Sequence, residues 1–200
     1  MRKLSVATLL VSCSLFFLFQ GVAHAQQVDL YYGGSTIEAP AATSATGDHA
    51  PYSLRGGYYN TIGGDVLFFH HLGAGAEVSW KARQGDYAGQ PTAPFRPVFY
   101  DFNAVFAPSF SHKVQPEFQA GIGAEDIRYY TGFYNYFTNT NYVSSKHFMS
   151  HFSVGLKLYT WGNFFIRPEA DFYLVRNNVD FSADRANRYG VSIGYTLGSH

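Results

Sequence analysis

The chain has 200 residues, with 14 Lys+Arg balanced by 14 Asp+Glu, a single cysteine, and a heavy aromatic load of 19 Phe, 16 Tyr and 2 Trp. That balance gives no reason to expect a nucleic-acid partner, and no basic run is present to follow a phosphate backbone. One cysteine excludes an internal disulfide framework and a cysteine-based zinc site, and the length suits one domain.

Arg2 and Lys3 precede an apolar run from Leu4 to Phe19, and Ala23-His24-Ala25 places small residues at both positions a signal peptidase reads. This predicts a signal peptide over 1–25, a mature start at Gln26 and one exported domain over 26–200. Cys13 in Leu10-Val11-Ser12-Cys13 offers a rival lipoprotein cut, but the strongly apolar Ser14 to Phe19 would then follow the cut, which is the wrong order. No later stretch approaches the ~20 apolar residues of a spanning helix.

From there the chain alternates. Apolar and polar residues on opposite parity predict strands over roughly 28–36, 57–69, 72–83, 95–107, 114–125, 147–158, 163–175 and 187–197, because successive side chains of a strand point to opposite faces. The third is the clearest: Leu72, Ala74, Ala76, Val78, Trp80 and Ala82 share one face, with Gly73, Gly75, Glu77, Ser79, Lys81 and Arg83 between them. No second layer of sequence is left to cover such greasy faces, so lipid is the expected partner. Most segments match the ~9–11 residues of a tilted transmembrane strand. Short connections (near 70–71, 109–113 and 161–162) alternate with long ones (37–56, 84–94, 126–146 and 177–186), as in an up-and-down barrel with both ends on the short-turn side.

Charge sorting supports the phasing. On the face opposite the apolar residues fall Asp29, Asp65, Glu77, Lys81, Arg83, Asp101, Glu117, Glu125, Lys157, Arg167, Glu169, Asp171 and Arg188, a predicted inward network of eight acids and five bases. Arg96 is the exception, at the loop-side end of its strand, where a long side chain reaches the headgroups. A charge facing lipid at mid-bilayer costs roughly 2–4 kcal/mol for Arg or Lys. Lipid satisfies no free backbone groups, so the first and last strands must pair. Pro168 within a predicted strand requires a bulge.

With alternating strands, short and long turns, and a final strand Arg188-Tyr189-Gly190-Val191-Ser192-Ile193-Gly194-Tyr195, the chain resembles the small eight-stranded outer-membrane β-barrel domain family of OmpA transmembrane-domain and OmpX type. The resemblance implies an all-β, closed eight-stranded antiparallel up-and-down barrel in the outer membrane of a Gram-negative-type cell. It also implies that the last strand is read by the barrel-assembly machinery during insertion. Outer-membrane lipid and lipopolysaccharide are then the expected partners, a monomer the expected state, and no cofactor is called for.

An eight-stranded barrel has room only for its own side chains, so no open pore is expected. Function would then sit on the loops, the richest of which holds Tyr129, Tyr130, Phe133, Tyr134, Tyr136, Phe137 and Tyr142. These are candidate surface contacts, set against the plainer reading of an aromatic belt with strands running past the membrane. His151 and Ser153 share the inward face of one strand, and His-x-Ser resembles the core of the outer-membrane lipid A deacylases. Val154 stands where those enzymes carry Asn, and the inward phase keeps both residues from an acyl chain, so a lumen network is preferred to a lipid A-modifying hydrolase. His70-His71 point apart and lack a third metal ligand. The other rival is a soluble periplasmic barrel holding an apolar ligand. It would have to pack Trp80, Phe102, Phe106, Phe118, Phe152, Phe164 and Phe172 inside.

Overall fold

The segment Phe164–Val175 shows how alternation becomes a wall: every odd-numbered residue is buried and every even-numbered one exposed. The computed structural model describes residues 27–39, 56–69, 71–86, 94–135, 140–176 and 184–198. The predicted signal peptide, His70, Tyr136 and Phe137 lie outside them.

The strands are β1 (Gln27–Glu38), β2 (Tyr59–Phe69), β3 (Leu72–Lys81), β4 (Gly85–Asp86), β5 (Pro94–Phe106), β6 (Val114–Asn135), β7 (Thr140–Trp161), β8 (Phe164–Val175) and β9 (Arg185–Gly198). All neighbours are antiparallel, in the order β3-β2-β1-β9-β8-β7-β6-β5, and β3 pairs with β5 to complete the circle. The two-residue β4 pairs only with the outer end of β5, through Gly85 and Asp86, so the wall itself has eight strands. The ends of the chain meet along β1 and β9, from Gln27↔Gly198 to Glu38↔Asn187. No sheet edge is left along the barrel, as lipid requires.

The wall is strongly sheared. A row of paired residues starting at Gln27 passes Leu67, Gly73, Val105, Gln119, Ser153, Asp171 and Arg188 and returns to β1 at Ile37, ten residues beyond its start. Such stagger is what tilts the strands of a closed barrel. Tight connections at 70–71, 107–113 and 162–163 lie at the end where the chain enters and leaves. Gly162 there takes φ +55, a left-handed conformation suited to glycine.

Three expectations are refined or corrected. Much of the 126–146 connection is strand, as the plainer reading of strands running past the membrane expects: β6 runs on to Asn135 and β7 starts at Thr140, in register from Glu125↔His147 to Tyr130↔Tyr142. Arg83 lies past the end of β3 and is exposed, and Lys81 is only half-buried. Pro168 forms no bulge. It is exposed and stays in register with Val191, while on the β7 side the ladder lapses between Gly155↔Glu169 and Leu158↔Ile166 and resumes without a shift. The missing N–H is absorbed by a short gap in one ladder.

Candidate functional site

The interior is polar and layered. Next to the tight turns Gln27 donates from Nε2 to Asp29 at 2.8 Å and to Gln115 at 3.2 Å, and the Tyr159 hydroxyl lies 3.1 Å from Thr196 Oγ1. At the opposite end Ile37, Tyr59, Phe95, Phe99, Ile127, Met149, Tyr173, Val175 and Ala186 close over the lumen as an apolar cluster. Between these layers sit the charges.

Three cations organise the middle. Lys157 Nζ lies 2.5 Å from Asp29, contacts Glu117, and is 3.6 Å from Asp65. Arg167 bonds Glu117 at 2.7 Å, contacts Glu169, reaches Glu77 at 3.5 Å, and spreads its guanidinium over the Tyr31 ring at 3.7 Å. Arg188 holds Asp171 at 2.8 Å and contacts Glu77. Buried ions are costly unless paired, and each of the three cations has at least two carboxylate partners.

Of the thirteen residues placed inward by sequence, Asp29, Asp65, Glu77, Asp101, Glu117, Glu125, Lys157, Arg167, Glu169, Asp171 and Arg188 are buried. Glu125 stands apart from the central set, facing His147 across the β6–β7 ladder. Asp29, Asp65 and Glu117 bring their oxygens together in the manner of a cation site. The Lys157 ammonium already contacts all three, so their charge is met from within the chain.

His151 is fully buried. Its Nε2 lies 3.1 Å from Asp171, its Nδ1 3.0 Å from Asn103 and 3.3 Å from Asp101, and its ring stacks on Tyr173 at 4.8 Å between centroids. Both ring nitrogens are committed to partners other than Ser153. Sequence identified His151 as inward but gave no sign of Asn103 and Tyr173 as its neighbours, because they come from β5 and β8.

The outer surface is the inverse of the interior. Leu30, Ile62, Phe102, Phe106, Phe118, Ile122, Phe152, Val154, Val191 and Ile193 all stand exposed, Phe102 at 69 %. Polar groups fill the inside and bulky apolar groups the outside, which contradicts the soluble lipid-carrier reading. Above this band the aromatics Tyr130 and Tyr142 pair across the hairpin at 5.8 Å, with the Arg96 guanidinium 5.8 Å from the Tyr130 ring and that of Arg128 5.0 Å from the Tyr142 ring. Tyr129 takes the inward phase and packs against the apolar end cluster. Phe133 and Tyr134 lie on β6.

No protein-family model matches the sequence, and no curated protein matches it. Solved structures do. Neisserial surface protein A superposes with a TM-score of 0.58 at 10 % identity, over 84 % of this chain and 95 % of that one. Ail, the attachment invasion locus protein of Yersinia pestis, in complex with the heparin analogue sucrose octasulfate, gives 0.56 at 11 %, over 86 % and 98 %. The N-terminal β-barrel domain of Pseudomonas aeruginosa OprF gives 0.54 at 11 %, over 86 % and 98 %. Identities this low speak to the fold alone, and with the closed ladder they give this chain the fold of the small eight-stranded outer-membrane β-barrels.

Proposed function

We propose that this is an outer-membrane β-barrel protein with a structural or surface-interaction role, neither a pore nor an enzyme. The observation that carries the reading is the pairing of an apolar outer wall with a lumen filled by Lys157, Arg167, Arg188 and their carboxylates. A diffusion path would need that network dismantled. The hydrolase alternative is disfavoured by the burial of His151 and by the partners of its two nitrogens.

In this reading export removes residues 1–25, the assembly machinery reads β9, the mature barrel is a monomer, and outer-leaflet lipid and lipopolysaccharide surround it. The β6–β7 hairpin projects beyond the apolar band and is the surface most available to an outside partner. The test is cell fractionation with gel migration before and after boiling. Recovery in the outer-membrane fraction with heat-dependent migration supports the proposal, and a buffer-soluble protein that migrates identically in both samples overturns it.

A further inference from the structure

The ten-residue climb of the register has a consequence for the outer rim. Moving from β5 towards β9 along a paired row gains roughly ten eighths of a residue in height per strand. The outward cations step down at almost the same rate. Arg96 and Arg128 share a row, and Arg128 faces Ser144. Lys146 lies two residues nearer the membrane than Ser144. Arg176, whose N–H bonds the Phe148 carbonyl at 2.9 Å, lies four nearer. Arg185 pairs with Leu174, whose partner Ser150 lies six nearer. Climb and descent cancel, so five cations on five consecutive strands stand level to within about two residues of rise, roughly 6 Å.

The belt covers only part of the circumference. At matching height on β1 to β3 the outward residues are Glu38, Tyr58 and Ala82, and the Ala82 N–H bonds the Tyr58 carbonyl at 2.8 Å. Among the described residues the acids near the belt are Glu38 on the adjoining β1, Asp126 and Asp184. Asp126 is buried, bonded by Arg128 at 3.2 Å and by Ser144, and Asp184 sits beside Arg176. Lys146, Arg176 and Arg185 are exposed. A shallow groove of about 270 Å³ beside them is lined by Phe148, Ser150, Leu174, Val175, Arg176 and Asp184. Arg176 in its lining beside the apolar Phe148 and Leu174, with Lys146 and Arg185 on the adjoining strands, matches a lipid with an anionic head and an acyl tail.

We propose that the β5–β9 rim is a binding site for a phosphorylated glycolipid of the outer leaflet, its phosphates on Lys146, Arg176 and Arg185 and one acyl chain along Phe148 and Leu174. The length of the belt favours a head with two phosphates over a single phosphodiester, so the lipid A anchor of lipopolysaccharide is the committed occupant. The proposal rests on the outer-membrane reading above.

The test titrates the detergent-solubilised full chain with bis-phosphorylated lipid A and with the same lipid A dephosphorylated, following bound lipid by native mass spectrometry. Wild type should bind the phosphorylated form at least tenfold more tightly. The triple variant Lys146→Gln, Arg176→Gln, Arg185→Gln should lose about 100-fold, taking ~1 kcal/mol per surface cation, while Lys113→Gln, exposed in a tight turn at the opposite end, should bind as wild type. Heat-dependent migration checks that each variant is folded, and Arg176→Gln alone, with about a fivefold loss, serves if the triple variant does not fold. Equal affinity for the two lipids, or a folded belt variant that binds like wild type, overturns the site. Either result leaves fractionation and heat-dependent migration of the wild type unchanged, so the outer-membrane reading would stand.

Discussion

Lys157 on β7 and Asp29 on β1 meet at 2.5 Å across the lumen although their strands never pair. The contact ties the strand where the barrel begins to the wall facing it. It also places an ammonium where three carboxylates need one. Replacing Lys157 with Met should therefore cost about 3–5 kcal/mol, the penalty for stranding buried charge. Urea unfolding of the barrel in detergent measures it, and Glu117→Gln in the same chain should recover part of the loss. An unchanged midpoint for Lys157→Met would show the network to be dispensable.

Phe102 faces outward at 69 % exposure, opposite Ile122 on β6. Arginine there should lower folding stability in a bilayer by roughly 2–4 kcal/mol if the site is near the midplane. Arginine at Phe110, 82 % exposed in a tight turn, should cost far less. Equal penalties at both sites would contradict lipid as the solvent of the outer wall.

Gly63 lies where any side chain would overlap the Tyr31 ring, the surface on which the Arg167 guanidinium rests. Gly63→Val should destabilise by about 1–3 kcal/mol through overpacking, and Tyr31→Ala should relieve part of that cost in the double variant. Additive losses would mean that the two positions do not share the space.

Planar-bilayer recording should find no steady conductance, because charge pairs and the apolar end cluster fill the lumen. Reproducible ohmic steps from the purified wild-type protein would count against that sealing.

Mass spectra of lipid A from cells expressing wild type, His151→Ala or Ser153→Ala should agree with one another and with cells lacking the protein. A change in acylation that depends on Ser153 would restore the hydrolase.

Parity along the chain was enough to place the wall strands and eleven of the buried charges, since a charge facing lipid is costly and falls on the inward phase. The rule weakens in the outer extensions of β6 and β7, where Asp126 and Ile127 are consecutive and both buried, so the strand parts of 126–146 show no clean alternation. Arg83 misled for a related reason: its parity continues that of Glu77 and Lys81, but the strand has already ended. Asn103 beside His151, and Tyr31 beneath Arg167, come from strands distant in sequence, and only the shear of the closed wall brings them together.

That shear also makes the pairing of β9 with β1 specific in register. A slip of one residue would set the inward Arg188 and Ser192 against outward residues of β1, and a slip of two would keep the facing but draw Arg188 away from Glu77 on the far side of the seam. The seam is thus matched at one alignment, the one in which Arg188 on β9 reaches Glu77 on β3 across β1 and β2.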